Sequence, residues 1–159
     1  MLKELIEQEA HDNGVTLINF AFKTDIKAAY YRTDGSLAVA AVNSAIEDPY
    51  DWNVQALHEI KHHESCVYDL TTMPEIVQDK YEILADRLML RSCMSLDMII
   101  DAYRAGATSI FYFSEHLEIT ETFFRKGLEL YLQICGLSTI YKGFVITWNP
   151  FSVKKQGAD

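Results

Sequence analysis

The sequence predicts an α+β fold: an N-terminal helix, a small antiparallel sheet, a helix carrying a histidine-rich segment, and then a helical subdomain. Three observations carry this reading. Strand-like apolar runs cluster in residues 15–43, an Asp-Gly pair separates two of them, and from Pro49 apolar residues recur at helical spacing. At 159 residues the chain can bury a substantial core, and the change in pattern divides it into residues 1–94 and 95–159.

Residues 2–11 place Leu2, Leu5, Ile6 and Ala10 near one helix face, and Asn13-Gly14 suits a left-handed cap. The run VTLINFAF reads as a strand. KAAYYR and SLAVAAVN then flank Thr33-Asp34-Gly35, which predicts a hairpin. Pro49 stops the last strand, Asp51 is the expected cap, and residues 51–66 carry Trp52, Ala56, Ile60 and His63 along one face. After a loop, VYDLTTMP, a second helix is predicted from Pro74 or Glu75 to about Met94. Ser95 then caps the first of three shorter helices, Gly106 and Gly136 fall at helix ends, and YKGFVITWNPF reads as an extended tail.

Composition excludes several function classes. With 49% hydrophobic and 12% aromatic residues the chain is not disordered, and no apolar run is long enough to span a bilayer. The N-terminus mixes charge with leucine where a secretory leader would be apolar, so the expected compartment is the cytoplasm. Cys66, Cys93 and Cys135 are odd in number and scattered, which fits a reducing environment. Each reads as a buried apolar residue, with Cys66 only a remote ligand candidate. Net charge is −9, with 8 Lys/Arg against 16 Asp/Glu in residues 1–95 and 6 against 7 thereafter. Such a chain has no basic stripe for nucleic acid and favours a protein or cation partner.

The chemistry concentrates in ALHEIKHHES, which holds three of the five histidines. His58-Glu59-Ile60-Lys61-His62 matches H-E-x-x-H. On a helix, that spacing sets both imidazoles on one face, where they can share a zinc ion, with Glu59 beside them. A solvated helix turn would show the same spacing, so a third ligand decides.

The segment YEILADRLML offers one. Its apolar residues imply burial from Tyr81 onward, and two buried carboxylates four apart, Glu82 and Asp86, require compensation. Glu82 is read as the third zinc ligand and Asp86 as acceptor of a ligating histidine's free N–H; the reverse assignment stays open. Two histidines and a carboxylate leave a position open, as in catalytic sites, and Glu59 is then the base for peptide hydrolysis. A neighbouring edge strand can hold an extended peptide. His63, about 100° round the helix from His62, is expected to be packed or hydrogen-bonded instead of metal-bound. Glu75 and Asp79 read as solvated first-turn acids. His11 and His116 receive no role, and Tyr68 is a weak oxyanion-donor candidate.

LHEIKHH followed by YEILADRLML, behind a helix and small sheet, resembles the ImmA/IrrE-type metallopeptidases of phages, integrative elements and bacteria. The resemblance covers Met1 to about Met94 well and the remainder loosely. It implies a zincin-like first domain with His58, His62 and Glu82 on Zn2+, Glu59 as catalytic base and Asp86 in support. The Glu82/Asp86 spacing is also similar to that of zinc-glutamate peptidases. The ImmA/IrrE-type family commonly has Gly where this chain has Lys61, which should face away from the metal.

The resemblance further implies a helix-turn-helix-like C-terminal subdomain and, as substrate, a DNA-binding repressor of helix-turn-helix type whose cleavage relieves repression. The helix-turn-helix cadence of residues 105–131 carries only Arg125 and Lys126 in its second helix, so a packing or protein-recognition role is expected there, without direct nucleic-acid binding. The competing reading is a non-catalytic antirepressor that acts by binding alone.

Overall fold

The structure, a computed structural model, describes residues 1–33, 37–65 and 73–157. It comprises two compact units, Met1–Met89 and Leu90–Asp159.

The first unit begins with α1 (Leu2–Asp12), which buries Leu2, Ile6 and Ala10. Leu5, expected on the same face, is 60% exposed. The buried residues are spaced by four and centre on Ile6, and position 5 points about 100° away from it. Asn13 closes the helix in right-handed geometry, and Gly14 takes the left-handed conformation at φ 70°, where its N–H reaches the carbonyl of His11.

Three strands follow: β1 (Val15–Phe20), β2 (Ala28–Arg32) and β3 (Ala38–Asn43). β2 and β3 form the expected hairpin, with Tyr30 opposite Ala40 and Arg32 opposite Ala38; Asp34 and Gly35 of its turn lie outside the described residues. The sheet, however, is mixed and not antiparallel. Its order is β1-β3-β2, and β1 runs parallel to β3 with Val15 beside Ala38 and Asn19 beside Val42. The nearly continuous small apolar run of β3, with Ala38, Ala40 and Val42 fully buried, suits the central position, and the more polar β1 and β2 take the edges.

α2 (Pro49–Ser65) is capped by Asp48, whose Oδ1 accepts the N–H of Tyr50 at 2.9 Å. Asp51, the expected cap, instead sits in the first turn and pairs with Lys27 at 2.7 Å. Proline explains the difference: lacking an N–H, Pro49 fits the first helical position, and the cap moves one residue ahead of it. Asn53, Ala56, Leu57 and Ile60 are buried along α2. Most of the expected loop after it, including Cys66 and Tyr68, lies outside the described residues. α3 (Glu75–Cys93) starts in the first unit and ends in the second. Among the described residues no helix is long and apolar enough to cross a membrane.

The second unit contains α4 (Leu96–Arg104), α5 (Ile110–Leu117) and α6 (Glu121–Cys135), capped by Ser95, Ser109 and Thr120. The expected extended tail is a three-stranded antiparallel sheet, β4 (Ser138–Tyr141), β5 (Phe144–Trp148) and β6 (Phe151–Lys155). Lys142 and Gly143, both at positive φ, supply the two-residue turn that folds β4 onto β5. Phe124 of α6 is the largest fully buried side chain, with the rings of Phe113 and Phe151 at 5.8 and 5.3 Å, and Tyr131 stacks on Trp148 at 4.4 Å. α6 thus spends much of its surface on packing: Phe123, Leu128 and Leu130 are buried too, and Arg125 is engaged with Glu121.

Phe124→Ala should therefore cost about 3–5 kcal/mol, read as a lower urea midpoint; a loss under about 1 kcal/mol would show that Phe124 does not anchor this unit.

Candidate metal centre

Helix periodicity builds the centre. On α2, residues 58 and 62 are separated by four and project from one face; on α3, residues 82 and 86 do the same. The structure turns these two faces towards each other. His58 Nε2 and His62 Nε2 are 3.0 Å apart, Glu82 Oε2 is 3.0 Å from His58 Nε2, and Glu82 Oε1 is 3.2 Å from His62 Nε2. One ligand atom from each of the three residues falls within 4.8 Å of the others. A tetrahedral ion with bonds of about 2.0–2.1 Å would hold its ligand atoms roughly 3.3 Å apart, so the donor set fits a small divalent cation.

Asp86 stands behind this triangle. Its Oδ1 lies 3.4 Å from His58 Nδ1, the nitrogen remote from Glu82, and it is buried where Glu82 is half exposed. This arrangement puts Glu82 among the converging donors and Asp86 in the orienting position. Asp86 can hold the proton on Nδ1 and leave the Nε2 lone pair directed at the cluster. His62 has no such support: its Nδ1 is buried with no hydrogen-bond partner among the described residues.

The expected burial of the whole segment from Tyr81 onward does not hold. Ile83 and Leu84 are 45% and 41% exposed, and Glu82 faces solvent with them. Only one side of α3 is covered there, so the two-carboxylate problem inferred from sequence reduces to Asp86 alone, which His58 relieves.

Glu59 is buried beside the histidines. Burial pushes its carboxyl pKa up; the charges of His58 and His62 and a hydrogen bond from the backbone N–H of Tyr30 work against that, while Glu82 adds to it. A carboxyl group raised in this way holds a proton more readily than a solvated carboxylate, which suits proton exchange. For His58, burial disfavours the charge, but Asp86 and Glu82 outweigh it and raise its pKa to about 9. Glu82 is held well below the usual carboxylate range by His58 and His62.

Two features were not legible in the sequence. Tyr30, on β2, shares a hydrogen bond of 2.7 Å between its hydroxyl and His63 Nδ1, and donates its backbone N–H to Glu59. The edge strand is thereby tied to the candidate base, and His63 has the hydrogen-bonded role expected of it. Lys61 does face away from the triangle, as expected, but it is also buried, with its ammonium held between Glu9 of α1 and Glu64 at 2.7 Å. Nothing local in the sequence links Lys61 to a partner 52 positions away. Glu75 and Asp79 are exposed in the first turns of α3, and His11 and His116 are exposed and take no part in the group of converging donors.

No protein-family model matches the chain, and neither curated proteins nor solved structures provide a match.

The raised pKa of His58 predicts how the metal-free protein responds to pH. Its folded-state value lies above the ordinary 6.5, so the ion-paired imidazolium contributes stability fully present below about pH 6.5 and lost as pH rises through about 9. Chelator-treated protein should show a Tm that declines across this window, and His58→Ala should flatten the decline. Because a ligating histidine must be neutral, zinc uptake at neutral pH should also release protons, measurable by calorimetry in buffers of different ionisation enthalpy. A flat Tm profile together with no proton release would rule out the charged pairing of His58.

Proposed function

We propose that the chain is a divalent-metal-dependent endopeptidase of the ImmA/IrrE type, with a zincin-like first unit, that cuts a DNA-binding repressor. The observation that carries this reading is the convergence of His58, His62 and Glu82 beside the buried carboxyl of Glu59. A divalent cation, with zinc the proposed one, would when bound supply a Lewis acid for a substrate carbonyl and lower the pKa of a water.

The chain's own residues supply the rest. Glu59, fixed by the N–H of Tyr30, takes the proton from the attacking water and delivers it to the leaving amine. Its raised pKa helps it hold the proton between the two transfers. Asp86 keeps His58 in one tautomer and orientation. β2 is an edge strand, and its register turns the backbone groups of Ala28 and Arg32 outward on either side of Tyr30, where an extended substrate can pair. The repressor as substrate, a cytoplasmic location and the protein-recognition role of the second unit belong to the same proposal. They rest on the resemblance of LHEIKHH and YEILADRLML and on the acidic charge of the chain.

Metal analysis by mass spectrometry tests the centre. Wild-type protein should carry about one zinc per chain, lost in His62→Ala and in Glu82→Ala. Absence of stoichiometric metal from protein purified without chelator would sink the peptidase reading and favour an antirepressor that binds without cutting. Glu59→Gln should keep its metal and lose about 10²–10⁴-fold in cleavage rate on a repressor substrate. Normal cleavage by that variant would remove Glu59 from the role of base.

A further inference from the structure

The other edge of the first sheet has features that the metal centre does not use. β1 pairs only with β3 among the described strands, so its outer side carries no strand. The carbonyl of Phe20 accepts the N–H of Ser44 on the β3 side. Peptide groups alternate in direction along a strand, so those of Val15, Leu17 and Asn19 face outward.

These outward groups border a groove of about 440 Å³. One wall is the run Val15–Asn19, the other is formed by Lys3, Glu7 and His11 of α1, and Trp52 of α2 also lines it. None of the five residues of the metal centre lines this groove.

Natural sheets protect such edges with charges, prolines or bulges. From Val15 to Phe22 the chain has no charged residue and no proline, whereas β2, the opposite edge, follows Lys27 and ends in Arg32. A bare, neutral edge inside a groove is built to accept backbone. The lysine indicates the charge of what it accepts. Lys3 lies 4.7 Å above the ring of Trp52, and Trp52 donates to the Asn19 side chain at 2.8 Å, which places an ammonium at the Asn19 end of the edge. Among the described residues its one ionic partner is Glu7, which is exposed and 4.0 Å away, a pairing too loose to occupy it.

We propose that the β1 edge is a docking site for an extended segment of a partner protein, neutral and β-branched along its length and acidic at the end that meets Lys3. The segment adds as a fourth strand outside β1, with its backbone on the outward groups of Val15, Leu17 and Asn19. The site is independent of metal binding and cleavage. On a chain of net charge −9, self-association through this edge is opposed by mutual repulsion, which favours a foreign segment over a second copy.

The probe is a capped, fluorescently labelled peptide of alternating threonine and valine with aspartate at both ends, followed by anisotropy with zinc-loaded and chelator-treated protein alike. Saturable binding by both forms is expected. Leu17→Pro removes an outward N–H without touching the ladder to β3, and should weaken binding by about tenfold or more. Lys3→Glu should weaken it roughly two- to fivefold and reduce its salt dependence. No saturable binding, or equal binding by a folded Leu17→Pro protein, overturns the proposal. Should Leu17→Pro not fold, the same peptide N-methylated on alternate amides is tested on wild type, and equal binding of that peptide overturns it. Sedimentation that reveals a dimer dissociated by Leu17→Pro would assign the edge to a second copy and overturn it as well. Because the readout needs neither metal nor cleavage, its failure leaves the peptidase reading untouched.

Discussion

The structure of the first unit depends on one constraint: two helices must each present an i, i+4 pair to the other. The histidines of α2 and the acids of α3 are laid out by the same helical repeat, and they meet because both helices turn those faces towards each other. Once they meet, the charges become mutually dependent. Asp86 is buried and satisfied by His58; His58 is held protonated by Asp86 and Glu82 in the absence of a cation; Glu82 is held ionised by both imidazoles. Two nitrogens facing each other at 3.0 Å are an awkward arrangement unless a proton or a cation lies between them. His58 and His62 would hold a bound cation through these nitrogens, and its charge would remove the need for the proton.

The sheet serves this cluster more than it serves the core. β2 lies at the edge because β3, with its run of small buried residues, takes the centre. That edge position brings Tyr30 to α2, where one residue makes two tethers: the hydroxyl to His63 and the backbone N–H to Glu59. In the proposed peptidase the same strand would hold the base and receive the substrate. Lys61 does comparable work on the opposite side of α2, tying it to Glu9 of α1 through a buried ammonium. Removing one partner of such a pair generally costs about 3–5 kcal/mol, because the other is left buried and unpaired. The helix carrying the histidines is thus held on two sides by polar contacts that its own periodicity does not reveal.

Some parts of the molecule are written locally. The H-E-x-x-H spacing, the Glu82/Asp86 spacing, the β2–β3 hairpin and the caps at Ser95 and Gly14 follow from interactions within a few residues, and the structure contains each of them. The local errors were also local in origin. Pro49 displaced the cap from Asp51 to Asp48, and Leu5 fell just outside the arc that α1 buries. The Lys142-Gly143 turn made a sheet of a tail that reads only as extended.

By itself, the sequence determined which side chains share a helix face, and so which donors are available to a cation. Only the tertiary structure decided that α3 would face α2, that Glu82 and not Asp86 would join the two Nε2 atoms, and that β1 would run parallel to β3 and leave its outer edge bare. The physical reason is range. Helix periodicity and turn chemistry act over a few residues and leave a pattern in the chain, whereas strand order and helix pairing are set by competition among apolar surfaces far apart in sequence, which no short stretch records.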